Sequence, residues 1–84
     1  MLIDVKAAIA QELDRVRMRE RLPAPKYRQR VRERSGLSQS ALARAIHVDP
    51  ATISRWESGE REPDDAHLAP YLDALERLAR EVAP

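Results

Sequence analysis

Between Ser38 and Gly59 the sequence has room for two helices and only three residues to join them, and that shortage decides most of what the chain can become. Ser38 is a residue type that caps a helix start, and Leu42, Ala43 and Ile46 behind it lie on one face at helical spacing. Asp49 followed by Pro50 signals a second start, because the N–H that proline lacks has no helical partner in a first turn anyway. The link His47-Val48-Asp49 is too short for helices lying side by side. They are expected to cross steeply, with Leu42, Ile46, Val48, Ile53 and Trp56 filling the angle. The second helix, about residues 50–58, turns Ile53 and Trp56 inward by their i,i+3 spacing and leaves Ala51, Thr52, Ser54, Arg55 and Ser58 outside. Gly59 ends it with the residue type that best tolerates left-handed dihedrals.

The rest of the chain also reads as helix. It has two Gly and no Phe, is rich in Ala, Leu, Arg and Glu, and nowhere alternates with the period of two that strands need, so the fold class is all-α. Asp4 is placed to cap a first helix over about residues 5–21, with an apolar stripe of Val5, Ala8, Ile9, Leu13 and Val16, which Leu22-Pro23-Ala24-Pro25 stops. That stripe suits either an extra layer on the domain or a contact between two copies. A helix over about 25–34 is expected to turn Tyr27 and Val31 inward. After the polar stretch Glu60 to Asp65, Leu68, Tyr71, Leu72, Leu75, Leu78, Ala79 and Val82 recur at three- and four-residue steps. Pro70 interrupts this stripe, which predicts a short turn over 64–69 and a helix from Pro70 to Val82. The organisation is therefore an N-terminal amphipathic helix, 1–22, followed by a compact unit over 23–84.

Net charge is only +1, yet it is unevenly spread. Residues 15–35 hold nine Arg or Lys against Glu20 and Glu33, whereas 57–84 hold eight acids against three Arg, so one end attracts phosphate and the other repels it. The chain has no Cys, and His47 and His67 lack zinc spacing, so no metal or cofactor is called for. No nucleophile–base set, acid pair or Gly-rich phosphate loop is present, and the sequence is not read as an enzyme. Without a transmembrane run or a secretory pattern, it is expected to be a soluble cytoplasmic protein, associated with the nucleoid and not with membrane.

Gly36-Leu37-Ser38-Gln39, Leu42-Ala43, Thr52-Ile53-Ser54 and Trp56-Glu57-Ser58-Gly59, with Arg61 and Pro63 after them, closely resemble the lambda-repressor-like helix-turn-helix family, also called the Cro or xenobiotic-response-element type. The resemblance covers about residues 26–82 and not the first 22. It implies a compact bundle of about four helices, here with an additional N-terminal one. It also implies that Gln39 holds phosphate and that Arg32 and Glu57 form a structural ion pair. One position departs from the family's pattern. An apolar residue usually stands eight before the Gly, where this chain has Arg28, and Tyr27 is expected to take its place.

A lone Arg and small polar side chains on one short helix suit readout of a major groove, since a guanidinium reaches guanine O6 and N7 together. Arg55 is the first candidate for base contact, with Ala51, Thr52 and Ser54 beside it. Ser38, Gln39, Ser58 and Arg61 are the phosphate candidates, and the basic helix over 25–34 adds attraction. The function expected is a sequence-specific double-stranded DNA-binding transcriptional regulator, a repressor working as a homodimer. The alternatives are an antitoxin or other interaction protein whose N-terminal helix binds a partner protein, and a phage-type recombination directionality factor.

Overall fold

The computed structural model describes residues 4–83. They form five helices: α1 Val5–Arg21, α2 Pro25–Arg34, α3 Gln39–Ile46, α4 Pro50–Ser58 and α5 Asp65–Val82. There is no strand among the described residues, and none of these helices is long and apolar enough to cross a membrane. The fold is all-α.

The steep α3–α4 corner follows from how its ends are closed. The Ser38 hydroxyl accepts from the Ala41 N–H at 3.0 Å and starts α3. His47 stops it in the left-handed region at φ 60°, which lets the Val48 N–H turn back to the Ala43 carbonyl at 2.9 Å. An L-residue pays about 1–2 kcal/mol for that conformation. The burial it permits repays this cost: Leu42, Ala43, Ile46, Ile53 and Trp56 close together with Tyr71 and Leu75 of α5. Each large apolar side chain so buried contributes about 1.5–3 kcal/mol. The Trp56 and Tyr71 rings meet at 4.6 Å between centroids, tilted by 44°. Asp49 occupies the cap position of α4 without a side-chain hydrogen bond, so Pro50 and the turn alone set that start.

Two expectations are corrected. Tyr27 is not an inward residue of α2. It is 51% exposed, and Arg28 is buried in its place at 3%. The guanidinium tolerates this because three acceptors meet it, namely the Pro23 carbonyl at 2.6 Å, the Trp56 carbonyl at 3.0 Å and Glu62 at 2.8 Å. The helix expected from Pro70 begins instead at Asp65 and runs through Pro70 without a break. Asp64 caps it, accepting from the His67 N–H at 3.0 Å. Leu68, Tyr71 and Leu72 are all buried and lie on both sides of Pro70, so one continuous helix is needed to seat them together. The carbonyl that Pro70 orphans is that of Ala66, an exposed residue, where water can serve it.

α1 stands apart from this core. Asp4 caps it by accepting from the Ala7 N–H at 3.2 Å, and none of its residues is buried. Its C-terminal end is fastened to the body by Arg19, which donates to the Pro63 carbonyl at 2.9 Å and to Asp65 at 2.7 Å, and by an Arg21–Glu76 ion pair.

Candidate nucleic-acid interface

α4 divides by face. Ile53, Trp56 and Glu57 are buried, whereas Ala51, Ser54, Arg55 and Ser58 are exposed and Thr52 is half-exposed. The Arg55 side chain is half exposed, with only Glu60 near it at 3.9 Å, a separation that leaves the guanidinium free to reorient. The Ser58 hydroxyl is occupied at the end of α4, donating to the Arg55 carbonyl at 3.1 Å and accepting from the Glu60 N–H at 3.3 Å. Gly59 follows at φ 81°, and the Arg61 N–H returns to the Arg55 carbonyl at 3.3 Å. This places the exposed Arg61 just past the helix end. Beside α4 runs an open groove of about 400 Å³ whose lining includes His47, Asp49, Thr52, Arg55, Arg61 and His67.

The far end of α4 is held by two arginines of α2. Arg32 donates to Glu57 through Nε at 2.5 Å and Nη2 at 2.9 Å, and through Nη1 to the Leu37 carbonyl at 2.9 Å. The hydrogen bond to Glu57 holds the Arg32 pKa above its ordinary value against the opposing effect of burial. Gln39 Nε2 adds a third donor to Glu57 at 2.9 Å. Glu57 thus ties the end of α4 to both α2 and the start of α3. Gln39, half-buried, sits at the first position of α3 next to the exposed Ser38, where unpaired helix amides also point outward. Arg28 completes the clamp through the Trp56 carbonyl.

Arg28 is the buried partner of α4 that sequence reasoning missed. The signal was available: Arg28 and Arg32 are i,i+4 on α2, so an Arg32 turned toward Glu57 brings Arg28 to the same face. The basic stretch is accordingly less free than its count suggests. Arg28 and Arg32 are buried, Arg19 and Arg21 are committed to the α5 side, and Arg15 and Arg17 lie beside Glu12 and Asp14 on α1. Lys26, Arg30 and Arg34 remain as the exposed cations of α2.

The helix-turn-helix family profile matches residues 29–81, more than half of the chain and the whole of the α3–α4 corner. The chain belongs to the lambda-repressor-like helix-turn-helix family. This is a DNA-binding regulatory family, and α4 occupies the recognition-helix position of the motif. Among curated proteins, an uncharacterized HTH-type transcriptional regulator of Archaeoglobus fulgidus is 46% identical over 44 residues, which is 52% of this chain and 19% of that protein. The chain therefore spans about a fifth of that relative's length. No solved structure matches it.

Proposed function

We propose that the chain is a sequence-specific double-stranded DNA-binding transcriptional regulator, a repressor that acts as a homodimer on two half-sites about one helical turn, roughly 34–36 Å, apart. The observation that carries this reading is the division of α4, whose readout face is exposed while its other face and its far end are anchored in the body. α4 lies in the major groove. Arg55 meets a guanine edge, and Ala51, Thr52 and Ser54 meet thymine methyls or neighbouring base edges. Ser38, Gln39, Ser58 and Arg61 hold phosphates on either side and fix the register, Gln39 with the help of the α3 amides. Ser58 would exchange its present backbone partners for that contact. Repression follows from occupancy, because a protein seated on an operator blocks access to it. The HTH-type regulator of Archaeoglobus fulgidus that shares this stretch supports the regulatory part of the reading.

The test is a fluorescence titration on duplexes selected from a random pool. Arg55→Ala should cost about 1–3 kcal/mol on the preferred duplex and relax the choice of base, whereas Arg61→Ala should weaken all duplexes alike and reduce the salt dependence. If both variants lose affinity without any change in base preference, the assignment of Arg55 to readout is wrong.

A further inference from the structure

We propose that α1 pairs in parallel with α1 of a second copy of this chain through Ile9, Leu13 and Val16. The pairing deepens the homodimer reading above and rests on it. Val5, Ile9, Leu13 and Val16 are 66%, 54%, 46% and 52% exposed, although their spacing lines them up along one side of a five-turn helix. That side faces away from the body. At about 100° per residue, the half-buried Met18 and Leu22 lie across the helix from the stripe. Arg19 and Arg21 fasten the same end to the body, so the stripe cannot roll over onto the core without breaking those bonds. A helix this short is marginal in isolation, but here it is already ordered by its attachment and its Asp4 cap.

The flanking charges specify the occupant and its direction. Glu12 borders the stripe on one side, and Lys6 and Arg17 border it on the other. In a parallel pair, a flanking residue faces the one about five positions further along the other helix, which sets Glu12 against Arg17 of the second copy, twice over by symmetry. In an antiparallel pair with Ile9 over Leu13, Glu12 would face Glu12 and Lys6 would face Arg17, like charge on like on both sides. The parallel arrangement alone sets opposite charges together at Glu12 and Arg17; Lys6, one heptad before Leu13, stands beside Lys6 of the second copy at the open end of the seam. Glu12 and Arg17 now meet Arg15 and Asp14 of their own helix, but both pairs are exposed, and exposed pairs of this kind exchange partners at little cost. Because each body lies across α1 from the stripe, the pairing leaves both bodies outside the seam. Three apolar layers form a weak joint, which two half-sites strengthen by raising the local concentration.

The chain lacks Cys, so single cysteines report pairing cleanly. Leu13→Cys and Val16→Cys chains should form like-with-like disulfides at least about tenfold faster than Gln11→Cys, which sits on the far side of α1, because paired thiols see a much higher effective concentration. A mixture of Ile9→Cys and Leu13→Cys chains should yield few mixed disulfides. In sedimentation equilibrium, Glu12→Arg and Arg17→Glu should each weaken self-association about threefold, and the double variant should restore it. Equal rates at positions 13 and 11, dominant 9–13 mixed disulfides, a mass above two copies or no rescue by the double variant would each overturn the proposal. Helicity by circular dichroism shows that the variants are folded. Binding of a single half-site by the same proteins separates the two readings. Failure to cross-link with half-site binding intact refutes the α1 contact alone, and cross-linking without duplex binding refutes the regulator reading alone.

Discussion

Replacing Glu57 by Ala should do more damage than any single change on the exposed face of α4. In the native protein this carboxylate accepts from Arg32 twice and from Gln39 once, and its side chain is 3% exposed against 10% for Arg32. The alanine variant leaves the guanidinium in the same enclosed place with only the Leu37 carbonyl at Nη1 and the partly exposed Glu33 at 3.9 Å. Removing one partner of a buried pair costs about 3–5 kcal/mol, chiefly because the remaining charge stays desolvated. A domain of this length holds on the order of 4–13 kcal/mol in total, so the loss consumes a large share of it. At about 4–8 °C per kcal/mol, Tm should fall by at least about 12 °C. Urea unfolding followed by circular dichroism measures the effect, and replacing both residues with apolar ones in Arg32→Met/Glu57→Leu should recover much of the loss. If Glu57→Ala costs less than about 1 kcal/mol, the pair is solvated in solution and the clamp on α4 does not depend on it.

Other outcomes follow from the same geometry. Tyr71→Phe should raise the urea midpoint slightly or leave it unchanged, because its hydroxyl is buried without a partner among the described residues and burial drives its pKa well above the ordinary value. A loss above about 1 kcal/mol would reveal a partner for it. Gly59→Ala should destabilise by about 1–2 kcal/mol, since the left-handed φ of 81° disfavours a side chain and the new methyl would touch the Pro25 ring at 3.4 Å, as thermal melts would register. The His67 ring, whose Nδ1 lies 2.6 Å from the Asp64 carboxylate, holds the Asp64 pKa below its ordinary 3.8 with the backbone cap bond adding to it, so this end of α5 is stabilised above that pH and loses the contribution as the pH falls through the lower folded value. Asp64→Asn should therefore flatten the acid limb of a Tm–pH profile, and an unchanged limb would count against that linkage.

Local signals were legible wherever a residue's chemistry is spent on its own backbone. Ser38, Pro50 and Gly59 place the ends of α3 and α4, and the run Leu22 to Pro25 places the end of α1, because capping and the missing proline N–H act within a few residues. For Arg28 only half of the signal was local: its spacing from Arg32 gives the face, but its partners do not show in the sequence. Two of its three acceptors are main-chain carbonyls, of Pro23 and Trp56, and a carbonyl leaves no trace in residue identity. Pro70 was misjudged because its local penalty was weighed without the burial of Leu68 on the near side and Tyr71 and Leu72 on the far side, which outweighs it. For the residues proposed to read bases, spacing distinguished outside from inside along α4. It did not reveal that the Ser58 hydroxyl is occupied at the helix end or that Gln39 braces Glu57.

The alternation along α4 has an evolutionary consequence. Ile53, Trp56 and Glu57 attach the helix, whereas positions 51, 52, 54 and 55 touch little of the protein itself. Randomising those four sites should give a library in which most members still fold, so that on the function proposed above drift retargets the domain to a new duplex without first losing the scaffold.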